Sequence, residues 1–260
     1  MRQGADTSDY QDPDLTFFLQ VYRDHGLARA CLTGLRRVFP AARVILVSDG
    51  DDDPRHAALA GRCGAEYVRG ERLSAVRRGG QVVQRMLDLF LQRPSPWLFR
   101  IDTDTRVHRR FRWLPAGTCV FGTLEHETQA HREPLDPPCV QGGCIGFTRS
   151  AVELLASSRL FASPDLEDWA GTWATSRDAR ERARNGRVSF DHLVRWGYRE
   201  LALPPRDFAE VRCVWRGRVP NPGLRYAVTH PHKRWWQVPR LYASLWLSRM
   251  KLVSGSPASG

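Results

Sequence analysis

Lysine is almost missing from this 260-residue chain: Lys233 and Lys251 are the only two, although the formal net charge is +11. The arginine excess reflects codon usage as readily as chemistry and carries no weight by itself. Acidic residues are missing after Glu210, while Arg212, Arg216, Arg218, Arg225, Lys233, Arg234, Arg240, Arg249 and Lys251 are all basic. Such an end attracts an anion, whether a nucleotide diphosphate, an anionic membrane surface or a nucleic acid, and charge alone does not separate these. The six cysteines contain no C-x-x-C pair, which excludes a zinc knuckle and a dense disulfide framework and points to a reducing, cytosolic setting. No run approaches the roughly 18 apolar residues of a membrane span. Residues 1–14 hold no apolar leader core, so nothing there directs export, and they are expected to be disordered. Internal repeats are absent too.

What is present is a strand-then-helix rhythm, the pattern of a doubly wound, mostly parallel α/β sheet. Leu15 to Tyr22 and Arg43 to Ser48 are apolar strands; between them Leu27, Cys31, Leu35 and Val38 recur at helical spacing. Pro54 to Arg62 is expected to be helical, Glu66 to Val68 a short strand, and Gln81 to Leu91 a helix with Val82, Met86, Leu89 and Phe90 on one face. Trp97 to Ile101 is a further buried strand. It runs into Asp102-Thr103-Asp104.

Those two carboxylates are the most informative feature. In an extended segment residues i and i+2 point the same way, so Asp102 and Asp104 can face one hard divalent cation; alternatively they are a polar loop after a strand. In open parallel sheets ligands bind beyond the carboxyl ends of the strands. Tyr22-Arg23, Asp49 and Asp102 each sit at such an end.

The second half is less regular. Cys119 to Leu124 is expected to be a strand, and Glu125 to Pro138, rich in Glu, His and Pro, a lid or acceptor loop. Gly142-Gly143 is expected to form a turn, either a close backbone approach to a ligand or a plain tight turn, before a helix opened by a Ser150-to-Glu153 capping box. Ala174 to Arg184 is a solvated helix. Ser189 caps a short helix that puts Asp191 in its first turn and ends before Gly197-Tyr198-Arg199, and Tyr226 to Thr229 is a last strand delivering His230-Pro231-His232-Lys233-Arg234. Imidazoles beside a Lys-Arg pair can supply a metal ligand and diphosphate contacts from one turn. Residues 236–253 form an amphipathic basic helix that docks on its own domain or lies on an anionic membrane, and 254–260 is a flexible tail.

From about Leu15 to Lys233 the order of these features resembles the nucleotide-sugar-dependent glycosyltransferases of the GT-A fold. The resemblance implies one catalytic domain over 15–235, with a nucleotide-binding half (15–110) and an acceptor half (111–235). It implies a Mn²⁺ or Mg²⁺ ion on the donor diphosphate, held by Asp104 and Asp102, with Asp102 also near the ribose. His230 completes the metal shell, with His232 as the other candidate. Tyr22, Arg23 and Asp49 border the base and ribose, and Arg78, Lys233 and the Gly142-Gly143 backbone lie by the donor. If transfer inverts configuration, Asp191 is the base, with Asp168 of Glu167-Asp168-Trp169 as its rival. The implied partners are a nucleotide-sugar donor, with a uridine diphosphate sugar foremost, and a carbohydrate, lipid-linked or small-molecule acceptor. The chain would work in the cytosol or at the inner membrane face.

Two other classes use the same residues. Asp102-Thr103-Asp104-Thr105 fits the D-x-D-x-T of haloacid-dehalogenase-like phosphatases, where the first Asp is a nucleophile. That chemistry needs a downstream Lys followed by acids, and no acid follows Lys233. A nucleic-acid-binding protein could use the basic, aromatic-rich C-terminal part. No nucleic-acid-binding signature is present, however, and Asp49 to Asp53 with Asp102 and Asp104 would repel phosphates without a metal. No nucleic-acid partner is expected.

Overall fold

A computed structural model describes residues 7–50, 53–73, 78–127, 134–162, 190–214 and 225–231. The expectations for Asp168, the Ala174 to Arg184 helix, Ser189, His232, Lys233, the 236–253 helix and the tail lie outside them.

The chain forms an α/β fold around a seven-stranded mixed sheet. In chain order the strands are β1 (Thr7–Ser8), β2 (Leu15–Val21), β3 (Arg43–Asp49), β4 (Glu66–Gly70), β5 (Trp97–Ile101), β6 (Arg106–Val107), β7 (Leu114–Pro115), β8 (Val120–Glu127), β9 (Pro134–Thr148), β10 (Pro205–Asp207), β11 (Val211–Cys213) and β12 (Val228–His230). The helices are α1 (His25–Val38), α2 (Pro54–Arg62), α3 (Gly79–Leu91), α4 (Arg149–Ser157) and α5 (Phe190–Glu200).

The large sheet runs β10-β8-β9-β5-β2-β3-β4. Strands β4, β3, β2 and β5 are parallel, β9 runs antiparallel to both β5 and β8, and β10 is parallel to β8. The chain winds outward from β2 to β4 and then returns to the other side of β2 for β5, so the strand order reverses between β2 and β5. A crevice at the carboxyl ends of these two strands is where such sheets receive ligands.

Alternation along the strands explains the two layers of helices. Phe17, Leu19, Val44, Leu46 and Phe99 point to the face covered by α1 and α2, where Cys31, Leu32, Leu35 and Leu59 complete one core. Phe18, Ile45, Val47 and Leu98 point the other way, onto Val83, Met86, Phe90, Val152, Leu155 and Leu193 of α3, α4 and α5. Phe17 stacks on Phe99 at 5.3 Å and Phe99 on Phe111 at 4.9 Å. Truncating such a ring to Ala costs about 3–5 kcal/mol.

Several expectations are corrected. Residues 7–14 are not disordered: β1 pairs with β7, and the 3₁₀ turn Asp12–Asp14 buries Asp12, which pairs with Arg110 at 2.5 Å. Gly142 and Gly143 are not a turn but lie inside β9, a 15-residue strand. The capping box is not formed, because Thr148 is the N-cap of α4 and Glu153 instead pairs with Arg149 one turn back. The described ends of the expected acceptor loop are strand, Glu125 to Glu127 in β8 and Pro134 to Pro138 in β9. Helix α5 continues through Gly197, where the missing side chain makes room for Phe161; an added Cβ would meet its ring at 2.4 Å.

Candidate metal centre

Asp102 and Asp104 follow the end of β5, but strand alternation does not aim them. They sit in a turn closed by the Thr105 amide donating to the Asp102 carbonyl at 3.0 Å. Strand β9 fastens that turn. The Gly143 carbonyl accepts from the Asp102 amide at 3.2 Å and from the Thr105 hydroxyl at 2.7 Å. A carbonyl has two lone pairs and can take both.

His230 arrives from β12, which lies in a separate three-stranded sheet with β6 and β11. Its Nε2 is 3.1 Å from Asp104 Oδ1 and 3.3 Å from Asp102 Oδ2. One ligand atom from each of Asp102, Asp104 and His230 lies within 4.8 Å of the others, the one such group of three found among the described residues. The Asp104 side chain is nearly enclosed, whereas that of Asp102 is a third exposed, so the group has a closed side and an open side.

The donor set fits a divalent cation. Two carboxylate oxygens and an imidazole nitrogen suit Mn²⁺ and, less selectively, Mg²⁺. The electrostatics fit too. Burial works against a charged His230, but hydrogen bonds with Asp102, Asp104 and Cys213 raise its pKa well above the ordinary value. Burial pushes the Asp102 carboxyl up, and the Arg100 guanidinium with His230 outweighs it, holding the group below its ordinary value. A proton on His230 thus balances charge in the place where a cation would, and a bound cation would displace it. Burial pushes Cys31 up to about 12 and Cys144 well above the ordinary thiol value.

Close packing of β9 against this group accounts for Gly143 but not for Gly142. A Cβ on Gly143 would stand 2.1 Å from His230 Nδ1, an impossible approach. One on Gly142 would stand 3.4 Å from the Asp191 carboxylate, an ordinary contact. Asp191, in the first turn of α5, therefore lies against Gly142 while His230 lies against the neighbouring Gly143. Its Oδ1 accepts from the His192 amide at 3.1 Å.

The residues ahead of the crevice form a second cluster. Arg72 lies flat over the Tyr22 ring at 3.1 Å, with the Arg23 guanidinium 4.8 Å from the same ring. Arg23 has φ 60°, a left-handed conformation uncommon for a non-glycine residue. Asp49 is buried and committed: Oδ1 accepts from the Leu73 amide at 2.8 Å and Oδ2 pairs with Arg72 at 3.2 Å. Arg78 precedes α3 and pairs with Glu71 at 3.6 Å.

Sequence reasoning missed Arg100, Arg72, Thr105 and Phe190. Arg100 left a signal, as the one charged residue within the apolar run Trp97-Leu98-Phe99-Arg100-Ile101. Arg72 left none, since its position depends on how the segment after β4 folds back over β3. No protein-family model matches the chain, and no curated protein matches it significantly. The functional reading therefore stands on this geometry.

Proposed function

We propose that this chain is a metal-dependent glycosyltransferase that moves a sugar from a nucleoside diphosphate sugar to an acceptor hydroxyl. The observation that carries the reading is the convergence of Asp102, Asp104 and His230, from segments far apart in sequence, at the switch in strand order. Asp104, Asp102 through Oδ2, and His230 through Nε2 would hold a Mn²⁺ or Mg²⁺ ion. When bound, that ion supplies positive charge to the diphosphate as the bond to the anomeric carbon breaks.

The chain's own residues supply the rest. The cluster of Tyr22, Arg23 and Arg72 beyond β2 and β4, in which Arg72 already lies over the Tyr22 ring, would border the nucleotide with aromatic and cationic groups. Asp191 would take the acceptor hydroxyl proton as that oxygen forms the new bond to the anomeric carbon and the bond to the departing nucleoside diphosphate breaks. Val211, Cys213 and Val228, all buried in the small sheet that carries His230, would help to keep water from that side. Work in the cytosol, with the basic C-terminal segment against an anionic membrane, belongs to the same proposal.

A thermal-shift screen of uridine, guanosine, thymidine and cytidine diphosphates with Mn²⁺, Mg²⁺ or EDTA tests it. A ligand at a hundred times its dissociation constant adds about 2.7 kcal/mol, a readable shift. Stabilisation by a nucleotide only with metal present supports the proposal. No shift with any combination, together with no hydrolysis of any donor sugar, sinks it.

A further inference from the structure

Arg100 has no solvent-facing role. It sits one residue before the end of β5, reaches the first residue of α5 and is only 8% exposed. A buried arginine persists where its charge is paired and its donors are used. Here Nη2 donates to Asp102 Oδ1 at 2.7 Å, Nη1 donates to the Gly142 carbonyl, and the guanidinium lies 4.4 Å over the Phe190 ring. One planar group thus touches the acidic turn after β5, the glycine pair of β9 and the first residue of α5.

The consequence lies in how the Asp102 carboxylate is divided. Oδ1 is taken by Arg100, and Oδ2 is the oxygen that faces His230 Nε2 at 3.3 Å. A carboxylate clamped at one oxygen keeps its other oxygen turned toward His230 and its rotation about the Cβ–Cγ bond restrained, so that oxygen is the one best placed for a cation. On the other side, the same guanidinium holds Gly142, against which Asp191 is placed, and Phe190, which precedes Asp191 in the chain.

We propose that Arg100 is a positioning residue that sets the ligand oxygen of Asp102 and locks the metal group to the glycine pair and the start of α5. This rests on the metal site of the proposed function, and it names a residue that neither binds the ion nor meets the acceptor.

The test uses the full chain and Mn²⁺ alone as probe, with free Mn²⁺ read by electron paramagnetic resonance during a titration. Circular dichroism first shows that each variant is folded. Arg100→Met should weaken Mn²⁺ binding by about tenfold to a hundredfold, the range seen when a ligand loses its orienting partner. Arg100→Lys keeps the charge and one donor but loses the fork, so it should fall in between, at least about threefold weaker than wild type. If Arg100→Met does not fold, Arg100→Lys decides alone. A merely structural role would lower the melting temperature and leave the affinity of the folded protein within threefold of wild type, and that result overturns the proposal. Tighter binding also overturns it, because removing a cation beside a metal favours the metal unless orientation dominates. Wild-type protein that binds no Mn²⁺ sinks the metal reading itself, whereas wild-type binding with unaltered variants sinks only the role given to Arg100.

Discussion

Asp49 and Asp102 occupy the same kind of place, each at the carboxyl end of a parallel strand beside an arginine, yet they are spent differently. Both oxygens of Asp49 are consumed inside the protein, by the Leu73 amide and Arg72. Asp102 gives one oxygen to Arg100 and turns the other toward His230. The two acids are therefore not equivalent candidates, because only Asp102 leaves an oxygen turned toward another possible ligand.

The comparison breaks most severely at Asp104. Asp104→Ala removes the enclosed ligand oxygen and should abolish Mn²⁺ binding, a loss beyond the roughly hundredfold that outer-shell changes reach. Titration with Mn²⁺ checks this, and binding within tenfold of wild type would remove Asp104 from the site. The glycine pair comes next. Gly143→Ala drives a methyl into the His230 ring and should weaken Mn²⁺ binding by about tenfold or more, with an overpacking cost of about 1–3 kcal/mol in stability. Gly142→Ala meets Asp191 at ordinary contact distance and should leave Mn²⁺ binding within a few fold of wild type. Equal effects at the two positions would contradict the packing of β9.

Asp49→Asn sharpens the contrast from the other side. It keeps an acceptor for the Leu73 amide but discharges the partner of Arg72, so it should cost about 1–2 kcal/mol in urea denaturation while Mn²⁺ affinity stays unchanged. A parallel loss of metal binding would show that the two clusters are one. The smallest effect is expected at the far ends of the same strands, where Arg43 at the start of β3 holds Glu66 at the start of β4, 2.9 Å apart. The hydrogen bonds from Arg43 depress the Glu66 carboxyl pKa despite partial burial, so its stabilising contribution is present above the unfolded value and is lost as pH falls through the folded one. Glu66→Gln should cost less than about 1 kcal/mol at neutral pH, and nothing once wild type is titrated well below pH 4. A cost that persists in acid would contradict the sign.

Much of the parallel half was legible because each of its elements is a local pattern. The apolar runs Leu15 to Val21 and Arg43 to Asp49, and the helix from Pro54 to Arg62, announce themselves by period and punctuation. The second half was harder, because Gly142 and Gly143 look like a turn to any local rule. They are strand here because β9 runs antiparallel between β5 and β8, and His230 and Asp191 come up against them from β12 and α5. The Ser150-to-Glu153 motif failed for a related reason: β9 runs on to Thr148, so the helix begins two residues before the motif needs.

The sequence by itself determined the α/β class, the acidic turn after a buried strand and the late histidine, since these depend on residue type and short-range spacing. Only the tertiary structure decided that His230 meets Asp102 and Asp104 and that Asp102 keeps one oxygen for that meeting while Asp49 keeps none. Those outcomes depend on which strands become neighbours across more than a hundred residues of chain, and no local period encodes them.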